Sequence, residues 1–281
     1  MSFNTKYSIR ADELTLAAEQ RGFGSVWFPE HTHIPASRAR PYPGGGDLPE
    51  QYIHMSDPCI SCMAVAAVTS RINVGTGVCP VPEHEPLALA KMVASPDRLS
   101  NGRFLFGVGA GWIEEEMENH GTPFDQRWTI LEERARAMEV LWTQEEASFH
   151  GEWVNFYRVW SYPQPVTQPQ PPVIPGTFPS PDGRQRVAEF GDGWIPINVY
   201  HKDLRADVDD LHARVRAQGR DPARITLSMF DVFATSEDDL KRCADDGFLV
   251  RAMPACPTAE KDTVLRWLDK YVDIGRRVGA L

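Results

Sequence analysis

The amino-acid sequence predicts an α/β protein, and more specifically a single (β/α)8 barrel over residues 1–281. Strand patterns and helix patterns alternate along most of the chain, which is typical of a parallel sheet covered by helices. The strands are short apolar runs, and the run at 104–108 has no polar face, as expected for a strand buried on both sides. Glycines follow several strands, at the end where barrels bind their ligands.

The predicted elements form seven successive strand–helix pairs. Each strand is assigned from an apolar run, and each helix from apolar residues at helical spacing, as in Leu204, Val208 and Leu211. The pairs, strand first, are 25–28 and 58–70, 72–78 and 86–94, 104–108 and 129–142, 173–176 and 184–190, 194–197 and 204–215, 225–232 and a helix capped by Ser236, and 248–251 and a helix through 264–271.

A further helix, at 11–21, precedes these pairs without a convincing strand in front of it. Only residues 1–6 remain for the first strand of a (β/α)8 barrel, so we expect that strand to be missing or cut short. A barrel with such a gap would have open strand edges on both sides of it.

Two longer segments interrupt the alternation. Residues 36–57 contain a turn-rich Pro-Gly stretch, and residues 147–172 contain an aromatic, hairpin-like stretch followed by prolines. Long loops on the C-terminal side of barrel strands usually form the walls of the active site. We therefore expect both insertions to lie near the site.

The composition excludes several classes of partner. The net charge of −10 disfavours binding to nucleic acid or to anionic membranes. No apolar run approaches the roughly 18 to 20 residues of a membrane span, and the N-terminus has no apolar signal core. We expect a cytoplasmic protein that acts on a small molecule.

The cysteines do not predict a disulfide framework or a zinc site. There are five, and the Cys59-x-x-Cys62 pair has no second pair to complete a metal site. Asp57 and Pro58 in front of it predict a helix N-cap and first residue, so both thiols would lie in the first turns of a helix.

A polar motif follows the first visible strand. His31 can act as a hydrogen-bond donor, proton shuttle or metal ligand at such a strand end. His31 and His33 could begin a metal site, as in metal-dependent hydrolases of this fold, but the later strand ends at 173–176, 194–196 and 250–252 offer no further ligand. The alternatives are a structural histidine pair and a histidine that faces a bound ring.

Glycine-rich strand ends point to a ligand that approaches the backbone closely. The segments 75–78 and 107–111 can present main-chain groups to such a ligand. The segment 175–180 leads from a strand into a helix, where free N–H groups and hydroxyls can hold a phosphate. Each signal is weak alone, because a β-bulge or an ordinary strand–helix turn gives the same pattern.

Taken together, these motifs resemble those of the bacterial luciferase-like monooxygenase family, and within it the branch of probable coenzyme F420-dependent oxidoreductases. They run in the family's order over nearly the whole chain. The residues that carry the resemblance are GFGSVWFPEH at 22–31, GTGV at 75–78, AK at 90–91, DRLSNGR at 97–103, GVGAGW at 107–112 and GDGWIP at 191–196.

The resemblance implies a flavin or deazaflavin across the C-terminal mouth of the barrel. Glu30 and His31 match an acid–histidine pair beside the ring, with His31 as the catalytic residue that Glu30 tunes. The peptide bond of Gly77–Val78 would be cis and support the ring. Trp112 stands where some deazaflavin enzymes have a glutamate. The implied cofactor-binding residues are Thr76, Gly77, Val78, Gly109, Ala110, Gly111, Gly176, Thr177 and Ser180, and the expected substrate-side residues are Trp112, Glu115 and the 36–57 loop.

The resulting expectation is an oxidoreductase that uses coenzyme F420 for hydride transfer to or from a small organic substrate. An FMN-dependent monooxygenase that uses molecular oxygen is the alternative within the family. A metal-dependent barrel hydrolase is the alternative of another class, and a barrel that has lost cofactor binding is a third. The resemblance also implies a homodimer.

Overall fold

The structure is a computed structural model, and it describes residues 1–231, 236–245 and 251–279. The helices are α1 (Ala11–Gln20), α2 (Pro58–Val68), α3 (Pro86–Leu99), α4 (Glu114–Asn119), α5 (Arg127–Thr143), α6 (Pro181–Phe190), α7 (Leu204–Ala217), α8 (Glu237–Asp245) and α9 (Lys261–Val278). The strands are β1 (Ser25–Phe28), β2 (Asn73–Thr76), β3 (Cys79–Pro80), β4 (Phe104–Gly109), β5 (Ala147–His150), β6 (Asn155–Val159), β7 (Val173–Pro175), β8 (Gly193–Trp194), β9 (Thr226–Leu227), β10 (Met229–Asp231) and β11 (Ala252–Pro254).

Parallel strands form the wall of a (β/α)8 barrel. β1, β2, β4 and β7 pair side by side in that order. β7 joins β8 through the N–H groups of Asp192 and Ile195, which donate to the carbonyl oxygens of Val173 and Pro175 at 2.7 and 2.9 Å. β8 then pairs with β9, and β10 pairs with β11. The predicted fold class is confirmed.

The N-terminal residues occupy the place of the first strand. The N–H of Ser2 donates to the carbonyl oxygen of Trp27 in β1 at 2.9 Å. On the other side, the N–H of Cys256, just after β11, donates to the carbonyl oxygen of Met1 at 2.8 Å. These two hydrogen bonds cover both edges that the sequence analysis expected to be open, although no regular strand forms there within residues 1–4.

Buried apolar side chains form three clusters. Trp27, Leu105, Ile174, Ile195 and Met253 pack together inside the barrel. The largest cluster lies between the strands and helices α1, α2, α3, α5 and α9. The third joins α6 and α7 to strands β8, β9 and β10. β4 is buried along its whole length, as its unbroken apolar run predicted. Among the described residues, no helix is long and apolar enough to cross a bilayer.

Several boundaries differ from the predicted ones. α3 continues through Pro96 to Leu99 instead of ending at residue 94, because the N–H groups of Ser100 and Gly102 still bond to the carbonyls of Pro96 and Asp97. The strand predicted at 72–78 ends at Thr76, and the one predicted at 194–197 ends at Trp194. Residue 232 and residues 248–250 of two predicted strands lie outside the described residues.

Other local predictions agree with the structure. Asp57 caps α2 by accepting a hydrogen bond from the N–H of Ile60 at 2.8 Å, and Cys59 and Cys62 are buried in its first turns. In the 147–172 insertion, β5 and β6 form an antiparallel hairpin. This insertion is attached to α3, since Asp97 accepts hydrogen bonds from the N–H groups of residues 166 and 167.

Glu19 links α1 to the start of β2. Its carboxylate accepts hydrogen bonds from the N–H groups of Ser70, Arg71 and Ile72 at 2.7 to 3.0 Å. Burial opposes ionisation, but these hydrogen bonds win and lower the pKa of Glu19 to about 2, from 4.5. A depressed pKa stabilises the fold above pH 4.5, and this contribution is lost as the pH falls toward 2.

We expect Glu19→Ala to lower the free energy of unfolding by about 2 to 4 kcal/mol at pH 7, because three N–H groups, of which that of Ile72 is buried, lose their acceptor. Glu13→Ala is the control on the same helix; it removes only an exposed ion pair with Lys261, at a cost of at most about 1 kcal/mol. Urea unfolding at pH 7 and pH 3 measures both. The loss of unfolding free energy caused by Glu19→Ala should be smaller at pH 3 than at pH 7. An equal loss at both pH values would contradict the stabilising role of the ionised Glu19 carboxylate.

Candidate active site

A cavity of about 210 Å³ lies at the C-terminal ends of the barrel strands. Its walls come from the segments that follow β1, β2, β4, β7 and β8, together with Phe230 of β10 and Trp128 of α5. The sequence-predicted site residues that line it are Glu30, His31, Gly77, Val78, Gly109, Ala110, Gly111, Trp112, Gly176 and Thr177.

Three predicted site residues do not line the cavity. Thr76 is fully buried, and its hydroxyl donates to the carbonyl oxygen of Gly107 at 2.7 Å. The Ser180 hydroxyl caps α6 by accepting from the N–H of Gly183 at 3.0 Å. Glu115 faces the 36–57 loop, where it accepts from the N–H of Ala39 at 2.5 Å. These side chains hold the frame of the site, and Glu115 positions the loop instead of facing the substrate side.

Val78 forms one wall of the cavity and fits between two glycines. A Cβ atom on Gly109 would lie 2.5 Å from Val78 Cγ2, and a Cβ atom on Gly176 would lie 3.0 Å from Val78 Cγ1. The peptide bond between Gly77 and Val78 is cis, as the resemblance implied. Glycine backbone beside the Val78 side chain leaves the cavity an apolar wall without further side chains, against which a ring can lie.

His31 is held between an indole and a carboxylate. The Trp112 Nε1–H donates to His31 Nε2 at 3.2 Å, and His31 Nδ1 lies 2.6 Å from Glu116 Oε2. An indole nitrogen can only donate, so Nε2 is the acceptor and Nδ1 carries the hydrogen that bonds to Glu116. The imidazole is therefore oriented with its Nε2 edge toward Trp112 at the cavity.

Glu30 acts on a different histidine from the expected one. Glu30 Oε1 lies 2.7 Å from His84 Nε2, while Glu116 is the carboxylate that holds His31. The side chains of Glu30 and His31 therefore contact different residues although the two are neighbours in the sequence. Burial lowers the pKa of His84, but the hydrogen bond and charge of Glu30 outweigh it and raise that pKa above its usual value. The expectation that Glu30 tunes His31 directly is corrected accordingly.

Sequence reasoning missed four polar or aromatic contributors: Glu83, His84, Glu116 and Tyr52. The sequence pattern could have indicated that Glu116 is buried, because its helical spacing places it on one face with Ile113 and Met117, and both of these apolar residues are buried. Tyr52 brings the 36–57 loop to the cavity, and its ring lies 5.6 Å from the His31 ring. Burial raises the pKa of Tyr52 well above its usual value, so its phenol stays neutral.

The two histidines of this motif contact different partners. His33 is exposed, and its ring nitrogens contact the Thr32 hydroxyl at 2.9 Å and the Asn119 amide at 2.9 Å, away from His31. In the described part of the chain, the one group with ligand-like spacing is Glu30, Cys79 and His84, whose atoms lie within 4.8 Å of one another. The Glu30–His84 ion pair accounts for that proximity, and burial raises the pKa of the Cys79 thiol well above its usual value.

The family model described as luciferase-like monooxygenase matches residues 8–270. The chain belongs to this family. The resemblance found in its motifs is confirmed. An uncharacterized protein of Mycobacterium tuberculosis (strain ATCC 25618 / H37Rv) is 42% identical over 237 residues, which cover 82% of this chain and 81% of that protein.

The chain is also similar to relatives whose names state an activity. The F420-dependent glucose-6-phosphate dehydrogenase of Kineococcus radiotolerans is 26% identical over 89% of this chain and 70% of its own length. The FMNH(2)-dependent dimethylsulfone monooxygenase of Pseudomonas putida is 29% identical over 63% of this chain and 49% of its own length. Among solved structures, monooxygenase RslO1 from Streptomyces bottropensis has a TM-score of 0.69 at 21% identity, over 100% of this chain and 82% of that one, which supports the fold.

Proposed function

We propose that this luciferase-like protein is an oxidoreductase that uses coenzyme F420 for hydride transfer to or from a small organic substrate. The observation that carries the proposal is the cavity wall formed by Val78 between Gly109 and Gly176, in the same cavity that His31 lines. The relative named as F420-dependent matches over a larger share of both chains than the one named as FMNH(2)-dependent.

The residues present fit a flavin-type ring. Val78 and Gly77 would contact its face, and the backbone of Gly109 to Gly111 would flank its edge, since side chains there would collide with Val78 or Glu83. When bound, the deazaflavin would supply the hydride chemistry. The protein would hold the ring in place, exclude water with apolar walls and provide the oriented imidazole of His31. Thr177 and the N-terminal end of α6 would lie near a phosphate group of the cofactor.

The carboxyl groups of the cavity wall, together with the absence of cationic side chains among its described lining residues, restrict the substrate. Among the residues that the structure describes, no lysine or arginine lines this cavity, and its walls include Phe3, Tyr52, Trp112, Phe178 and Phe230. An anionic substrate would find no cation here and would approach buried carboxyl groups. We therefore propose an uncharged and largely apolar substrate.

FMN with molecular oxygen is the second candidate. Trp112 favours it, because the resemblance places a glutamate at this position in some deazaflavin enzymes, and Trp112 instead binds His31. The relative named as FMNH(2)-dependent also has the higher identity of the two, 29% against 26%, over its shorter match.

Parallel titration of the purified protein with F420 and FMN, followed by fluorescence or calorimetry, tests the cofactor. We expect F420 to bind more tightly. Gly109→Ala should weaken the binding by about tenfold or more, because its Cβ would displace Val78, whereas Gly24→Ala, with no atom within 4 Å of the new Cβ, should bind normally. Tight FMN binding without F420 binding would establish the second candidate, and no binding of either would leave a barrel without cofactor chemistry.

A further inference from the structure

Glu83 is a buried acid on the cavity wall that the proposed function does not use. It ends the short 3-10 turn Val81–Glu83 after β3, and only 7% of its surface is exposed. A Cβ atom on Gly111 would lie 3.0 Å from Glu83 Oε1, so the carboxyl group packs directly on the backbone of the β4 exit. In the described part of the chain, no hydrogen-bond donor reaches its Oε2.

The two acids on this side of the cavity have different surroundings. Glu116 accepts hydrogen bonds from His31 Nδ1 at 2.6 Å and from the N–H of Thr32 at 2.9 Å, so donors hold its carboxylate. Glu83 Oε2 is buried without such a donor in the described part of the chain. A carboxyl group buried without donors is held in its neutral form, because burial of an unpaired charge costs far more.

Burial and the neighbouring acids act on Glu83 in the same direction. Burial, followed by the negative charges of Glu116 on α4 and Glu30 after β1, raises the pKa of Glu83 well above its usual 4.5. The basic side chains that line a second pocket together with Glu83 are His84, His120 and Arg134. His84 is paired with Glu30, and the Arg134 guanidinium binds backbone carbonyl oxygens of the 81–84 turn at 2.6 to 3.1 Å. Burial keeps the thiol of Cys79 on β3 neutral.

We propose that Glu83 is the acid of this site, a neutral carboxyl group that presents its proton at the cavity wall. The proton lies beside the bound molecule, in a site where Trp112 occupies the position at which the resemblance places a glutamate. The identity of the molecule that takes the proton rests on the proposed function. The protonation of Glu83 does not rest on it and can be tested separately.

Infrared difference spectroscopy of the cofactor-free protein tests the acid directly. We expect the carbonyl stretch of a protonated carboxylic acid at pH 7, well above the titration range of an ordinary glutamate, and we expect Glu83→Gln to remove it. Glu118→Gln, on the exposed side of α4, should keep the band. A wild-type spectrum without this band, or a band that survives in Glu83→Gln, overturns the proposal whatever the cofactor titrations show.

Stability as a function of pH gives a second readout. A buried acid with a raised pKa binds its proton more tightly when folded, so it lowers stability progressively as the pH rises above 4.5, until Glu83 itself ionises. Glu83→Gln should therefore melt at a higher temperature than the wild type, by a margin that widens between pH 5 and pH 8. A margin that stays constant over this range contradicts the neutral acid.

Discussion

Replacing His31 by alanine is expected to lower turnover by about 10² to 10⁴-fold while leaving the barrel folded. His31 is the one imidazole among the described cavity-lining residues, and both of its ring nitrogens are engaged, by Trp112 and by Glu116. The variant would remove the oriented polar edge from the cavity. Glu116 would keep its hydrogen bond from the N–H of Thr32, so the neighbouring backbone should not move.

The matched control is His33→Ala. His33 lies two residues further along, is exposed, and contacts Thr32 and Asn119 outside the cavity. The turnover of His33→Ala should stay within about twofold of the wild type, because the His33 ring does not line the cavity. Steady-state turnover with the cofactor that binds, measured beside thermal unfolding, compares the two. Full activity in His31→Ala, or an equal loss in both variants, would remove His31 from the mechanism.

The frame of the barrel could be predicted because its signals are local. β1 and β4 were placed from apolar runs of four to six residues, and α2 from Asp57 and Pro58 at its start. The place of the first strand could not be predicted, because it depends on long-range hydrogen bonds. Met1 bonds to Cys256, 255 positions away, at 2.8 Å, and Ser2 bonds to Trp27, 25 positions away, at 2.9 Å. Such pairings have no periodicity within the segment.

The sequence predicts which residues line the site, but not which side chains contact one another there. Glu30, His31 and the glycines of the β4 exit were identified as single motifs, and they do line one cavity. The pairs that give these side chains their chemistry, His31 with Glu116 and Glu30 with His84, join residues 85 and 54 positions apart. Adjacency in the sequence suggested that Glu30 binds His31, but the two side chains contact different partners.

The three glycines of the β4 exit, Gly107, Gly109 and Gly111, are required for different physical reasons. Gly111 adopts a φ of 76° and lies against Glu83, while Gly109 makes room for Val78. Gly107 lies one step deeper, where β4 approaches β2 closely: a Cβ atom there would be 2.0 Å from the carbonyl oxygen of Thr76. That oxygen is backbone and cannot rotate away, so relief would require the strands to separate.

Gly107→Ala is therefore expected to lower the free energy of unfolding by about 3 to 5 kcal/mol, at the upper end of overpacking costs. Separation of β4 from β2 would also break the bond from the Thr76 hydroxyl to the Gly107 carbonyl oxygen and shift the wall that carries Gly109. Gly24→Ala is the control, because nothing lies within 4 Å of its new Cβ, and it should change stability by no more than about 1 kcal/mol. Urea unfolding of both variants measures the difference; similar midpoints would show that the contact between Gly107 and Thr76 does not constrain the barrel.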